Sequence, residues 1–157
     1  MTADAEVTVR VTRVTEDRAY TVLLAMRRGL LPSKRLPVGR GADQATPPER
    51  VWTAGFVAGL ESFEALAEAG QSVPLPARAA PTRCREQRIG LTNDLSQRLG
   101  ALRSALLAAY TVQHGAPAEG TDPVPIGRLQ EAIVDTGLRS LREDWAGVRG
   151  PAPRGRR

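Results

Sequence analysis

An apolar stripe within residues 82–113 constrains this chain more than any other stretch. Leu95, Leu99, Leu102, Leu106, Ala109 and Gln113 recur at alternating spacings of four and three, which places them on one face of an α-helix. Arg98 and Arg103 fall off that face, and no proline interrupts the run. The whole of 82–113 therefore reads as one long amphipathic helix whose apolar side must be covered by other helices.

Three further segments can supply that cover. In residues 15–28, Thr15 can cap a helix with Glu16 and Asp17 in its first turn, Arg27 and Arg28 suit the negative end of the dipole, and Gly29 stops it. Tyr20, Leu23, Leu24 and Met26 give this helix its apolar side. Thr46, Pro47, Pro48 and Glu49 form a helix start, and Trp52, Phe56, Gly59, Phe63 and Leu66 carry an apolar stripe toward Gly70. Gly55 and Gly59, four residues apart, allow a neighbouring backbone to approach closely. Each costs about 1 kcal/mol in helix propensity, which close packing must offset. The last helix runs from Ile126 to about Trp145, with Leu129, Ile133, Val134, Leu138, Leu141 and Trp145 on a broad face. Proline- and glycine-rich joins occupy residues 31–47, 71–81 and 115–125.

One segment has a different period. Across residues 6–14, Val7, Val9 and Val11 alternate with Thr8, Arg10 and Thr12, the pattern of a half-buried β-strand. Val14 breaks the phase, so the strand ends near Thr12. No internal repeat at a fixed period is visible. The expected fold is thus mainly α: a four-helix, bundle-like domain over residues 15–149, a short N-terminal β-strand arm over 1–14, and a disordered basic tail over 150–157. Its core should include Phe56, Phe63, Leu99, Leu102 and Leu106.

The 157 residues suffice for one domain with a real core, and 41% apolar with 25% charged residues marks a globular chain. Aromatics supply only 4%, so that core must be largely aliphatic. Lys34 is the single lysine among 22 basic residues, a bias expected of a GC-rich bacterial genome. The net charge of +5 sits mainly at the two ends and on the 82–113 stretch, while the other helical segments are acidic. A lone cysteine, Cys84, excludes an intrachain disulfide and a cysteine-based zinc site. With no long apolar run and no basic-then-apolar leader, a cytoplasmic protein is expected.

The residues that could carry chemistry give little. Glu61, Glu64 and Glu68 share a helical face, but His114 is the only histidine, so an ion-paired or solvated face opposite Arg88, Arg98 or Arg103 is the reading, not a carboxylate metal site. Cys84 and His114 would lie roughly 45 Å apart along one helix, too far to act together. The Gly39–Gly41 fragment lacks the strand and the lysine of a phosphate loop. Asn93 and Asp94 fall mid-helix in this reading, either as a buried polar pair that sets register or as exposed residues. No catalytic residue, cofactor or metal is expected.

Function is therefore expected to be non-catalytic: a protein-interaction or self-associating module. An unpaired Val-lined strand needs a partner for its backbone; the same strand in a second copy would provide one, and the competitor is an intrachain segment around Leu36–Val38, where Pro37 removes a donor. The candidate interface consists of Val7, Val9, Val11, Trp52, Gly55 and Gly59. The alternative is DNA binding. A strand of alternating Val and Thr/Arg followed by two helices resembles the ribbon-helix-helix regulators over roughly residues 6–66. In that family two copies pair their strands into a ribbon that enters the major groove, and the resemblance implies outward contacts from Thr8, Arg10 and Thr12. That family joins its helices by a short turn, whereas here the join spans about residues 30–47. A helix-turn-helix centred on Gly137 within Gln130–Trp145 is less suited to the sequence than an unbroken helix. Arg154, Arg156 and Arg157 in the tail could touch phosphates.

Overall fold

The computed structural model describes residues 5–28, 47–71 and 84–149. Among them the order is β1 (Ala5–Thr12), α1 (Arg13–Arg27), α2 (Pro47–Glu68), β2 (Cys84–Leu91), α3 (Asn93–His114) and α4 (Ile126–Arg149). The protein is mainly helical, as the sequence implies, with four helices and one small sheet among the described residues.

That sheet corrects the reading of residues 82–113. The first part of the stretch is strand β2, and the helix begins only at Asn93. Ile89 and Leu91 alternate with Arg88 and Gly90 and are buried, so β2 has its own period of two. The switch from strand to helix falls at Thr92, whose hydroxyl oxygen accepts from the Leu95 amide at 3.2 Å. Asn93 and Asp94 are therefore exposed residues of a first helical turn, not mid-helix residues. Asp94 sits where the helix dipole favours a carboxylate.

β2 is also the partner that β1 needs. The two strands pair antiparallel within one chain, from Ala5 opposite Leu91 to Thr12 opposite Cys84. Val9 and Val11 are buried beneath this ribbon and Val7 partly so, while Thr8, Arg10 and Thr12 are exposed. Pairing of β1 with a second copy is thus not required to satisfy its backbone.

The strand-helix-helix order occurs twice, and the two units correspond position by position. Thr12 caps α1 through the Thr15 amide at 3.3 Å, as Thr92 caps α3 through Leu95. Helix α1 starts one turn earlier than a Thr15 cap implies. The buried residues Thr15, Ala19 and Val22 of α1 match Leu95, Leu99 and Leu102 of α3 at an offset of 80, that of Thr12 to Thr92. Along α2 and α4 the offset is 78, that of Gly59 to Gly137. Val51, Ala54, Phe56, Leu60 and Phe63 match Leu129, Ala132, Val134, Leu138 and Leu141, all buried. The expected apolar side of α1 is corrected by the same comparison. Leu23 is buried and Met26 packs against the core as expected, but Tyr20 is 60% exposed, and Ala19, Val22 and Ala25 also face inward.

The units interlock as two copies about a pseudo-two-fold axis. Helix α2 packs chiefly on α4, α1 on α4, and α3 on α2. At the α2–α4 crossing, a Cβ on Gly59 would overlap the Ile133 carbonyl, and a Cβ on Gly137 would overlap the Gly55 carbonyl. Gly55 and Ile133 are themselves counterparts at the offset of 78, so the contact is reciprocal, as across a two-fold axis. Gly59 does receive a neighbouring backbone, while Gly55 receives the Leu138 side chain, and both neighbours belong to the same chain. Phe56, Phe63, Leu99 and Leu102 lie in the core as expected, and Leu106 packs against its edge.

Two arginines at corresponding positions tie the units together. Arg18 of α1 pairs with Asp135 of α4, which also accepts from the Thr15 hydroxyl. Arg98 of α3 grips Glu64 of α2 with two hydrogen bonds, Nε to Oε2 at 3.0 Å and Nη2 to Oε1 at 2.7 Å. That hydrogen bonding raises the Arg98 pKa above its ordinary value, with burial opposing. A raised arginine pKa contributes its stability everywhere below the unfolded value, so this pair adds no pH dependence through Arg98 in the physiological range. Replacing Arg98 by lysine loses the fork geometry. It is expected to cost about 1 kcal/mol in urea unfolding, because both side chains keep about a third of their exposure. An Arg98→Lys midpoint equal to wild type would show that the fork contributes nothing.

Candidate nucleic-acid interface

The ribbon has one face on the helices and one in solvent. Because β-strand side chains alternate, the solvent face carries Glu6, Thr8, Arg10 and Thr12 from β1, with Glu86, Arg88 and Gly90 opposite on β2. The register sets Glu6 against Gly90, Thr8 against Arg88, Arg10 against Glu86 and Thr12 against Cys84. Glu6, Thr8, Arg10 and Thr12 are exposed, as are Glu86 and Arg88. Arg88 has no ion pair among the described residues. Two more arginines flank the end of the ribbon nearest α1. Arg13 lies 3.6 Å from Asp17, and Arg85 lies 3.4 Å from Glu16.

Physically, this face is a stiff two-stranded platform about 25 Å long at the usual rise per residue. Its backbone is fully paired along the shared edge, and Val9, Val11, Ile89 and Leu91 anchor it in the core. Hydroxyl and guanidinium donors project from it. Two glutamates balance Arg10 and Arg88, so the face has no strong positive field of its own.

Thr8, Arg10 and Thr12 thus lie together on one exposed surface. The residues named for self-association lie elsewhere. Val9, Val11, Trp52, Gly55 and Gly59 are buried among this chain's own helices, and Val7 is half-buried. They cannot meet a second copy without opening the core. Arg88 and Glu86 were missed because β2 reads as a continuation of the helix that follows. The alternation of Ile89 with Leu91, ended by the Thr92-Asn93-Asp94 cap sequence, was the available signal.

Of the other candidates, Glu64 is taken up by Arg98, and Glu61 and Glu68 are exposed. No group of three or more His, Cys, Asp or Glu among the described residues is arranged to hold a metal ion. Gly137 is a close-packing residue within an unbroken α4. The Gly39–Gly41 fragment and the tail arginines Arg154, Arg156 and Arg157 lie outside the described residues. No described helix is long and apolar enough to cross a membrane.

A second surface feature lies at the far end of α3. An open trough of about 450 Å³ runs between α3 and the 123–124 segment, lined by Leu106, Ala109, Tyr110 and Val124 among others. Val112 beside it is 87% exposed, and the Tyr110 ring packs on His114 with centroids 4.6 Å apart.

Compared with known proteins, the chain matches no family model, no curated protein and no solved structure.

Proposed function

We propose that this protein binds duplex DNA, laying the outer face of the β1–β2 ribbon in the major groove. The observation that carries the reading is the internal pairing of two strand-helix-helix units, with an exposed, hydroxyl- and arginine-bearing ribbon at their axis. This extends the resemblance to the ribbon-helix-helix regulators from residues 6–66 to both units of one chain. A two-stranded ribbon fits the roughly 12 Å width of the B-DNA major groove, where arginine can donate to both acceptors of guanine and threonine to several base edges. The deep, narrow major groove of RNA would not admit it. Because Glu6 and Glu86 offset Arg10 and Arg88, non-specific attraction to phosphate should be weak, and affinity should depend on sequence.

The test is enrichment of duplexes from a random-sequence pool, followed by anisotropy titration of the enriched duplex. Arg88→Ala should weaken binding by about tenfold or more, within the worth of a bidentate arginine–guanine contact, while circular dichroism stays unchanged. Failure to enrich any duplex across a range of salt concentrations would end this reading.

A protein-interaction module is the second reading, favoured by the exposed Val112 and the apolar trough beside it. Under it, Val112→Asp should abolish self-association or partner capture seen by sedimentation. Sedimentation unaltered by that change would remove the support the trough gives.

A further inference from the structure

The two halves of the ribbon are related by the offset of 80, so their side chains can be compared directly. Thr8 and Arg88 are counterparts and also face each other in the register. The pseudo-two-fold axis therefore passes through that pair. Glu6 corresponds to Glu86, and Arg10 corresponds to Gly90. In a ribbon made of two identical strands, each outward side chain would recur on both sides of the axis. Here they do not. One side of the axis presents Arg10 opposite Glu86, and the other presents Glu6 opposite Gly90. Both guanidinium groups of the outer face thus lie at the axis or on one side of it.

Resting on the DNA-binding reading above, we propose that the duplex this chain recognises is non-palindromic, read by one chain per site. Arg10 and Arg88 contact guanines at and to one side of the site's centre. The Glu6–Gly90 half supplies no cationic donor. Its carboxylate can only accept, which suits the amino group of cytosine and disfavours the acceptor edge of guanine. A dimer reading a palindrome presents the same side chains twice, and this ribbon cannot.

The experiment is sequence enrichment from a random duplex pool with the full chain, alongside two ribbon variants. The wild-type motif should differ from its own reverse complement, and replacing one half of the site by the inverted other half should weaken binding about tenfold or more. Titration should saturate at one chain per duplex. The double substitution Arg88→Thr with Gly90→Arg gives both strands the same outward Glu-Thr-Arg set, and its enriched motif should become palindromic. Gly90 has no positive φ, so its backbone conformation is one that any residue adopts. Should the double variant fail to fold, Arg88→Thr alone alters an exposed residue and should change base preference at the centre only. A palindromic wild-type motif, or two chains per duplex, overturns the inference while leaving DNA binding intact. Enrichment of nothing at all overturns the DNA-binding reading and the inference with it.

Discussion

Replacing Gly137 by alanine is expected to remove most of this protein's stability. The added methyl would overlap the Gly55 carbonyl and stand 2.7 Å from the Gly59 nitrogen. Both obstacles are helix backbone, which cannot swing aside like the end of a flexible side chain. Overpacking a core typically costs about 1–3 kcal/mol. Here two helices must separate along the central seam, so the loss should exceed ~3 kcal/mol. That is a large share of the 5–15 kcal/mol typical of a folded domain. Gly100→Ala is the matched control. It lies within α3 with nothing within 4 Å of the new methyl, and it should gain up to about 1 kcal/mol from helix propensity alone. Thermal and urea unfolding of the two variants should move in opposite directions. A Gly137→Ala protein that melts like wild type would mean that α2 and α4 do not cross there.

Cutting the chain between Pro76 and Ala77 is expected to abolish folding of the separate pieces and to leave folding of their mixture intact. Each unit buries its strand against the other's strand and its second helix against the other's second helix. A single unit would expose the faces of Val51, Phe56, Leu60 and Phe63, or of Leu129, Ile133, Val134 and Leu138, which are fully or almost fully buried in the whole protein. Neither piece should show a cooperative transition at low micromolar concentration, and the equimolar mixture should recover the helical signal. If either piece melts cooperatively as a monomer, the units fold independently and the interlocked description is wrong.

Much of the helical architecture was legible in residue spacing. The faces of α2 and α4 could be read because their apolar residues are large and the polar ones fall between them. Gly55 and Gly59 announced a close backbone approach, since two helix-weakening residues one turn apart need a packing gain to offset them. The stripe of α3 was legible from Leu95 to Leu106, whereas Ala109 and Gln113, which continue its spacing, are exposed. What failed was the start of that helix. Polar Arg85 and Gln87 precede Ile89 and Leu91 in the phase where an apolar side chain would mark a strand, so the alternation is too short to outweigh the helical pattern downstream. The repeat was hidden for related reasons. Thr15 stands where the other unit has Leu95, and Gly55 where it has Ile133. Helix α3 is longer than α1 and the join after it shorter, and the net difference shifts the offset from 80 to 78, so no single period aligns both helices. In α1 the inward face joins Leu23 to Thr15, Ala19, Val22 and Ala25, whose small size let the larger Tyr20 mislead. The ribbon face was half legible: Thr8, Arg10 and Thr12 followed from alternation, whereas Arg88 and Glu86 depended on recognising β2 as a strand.

The covalent join between the two units turns what would otherwise be an association equilibrium into a unimolecular one. Two separate strand-helix-helix chains fold only as a pair, so dilution would unfold them by mass action. Here each unit meets its complement at an effective concentration set by the covalent connection rather than by dilution. The melting temperature should therefore not depend on protein concentration. Pairing within the chain also outcompetes exchange between copies at low protein concentration, so each ribbon combines two unlike strands, and a change in one strand is not mirrored in the other.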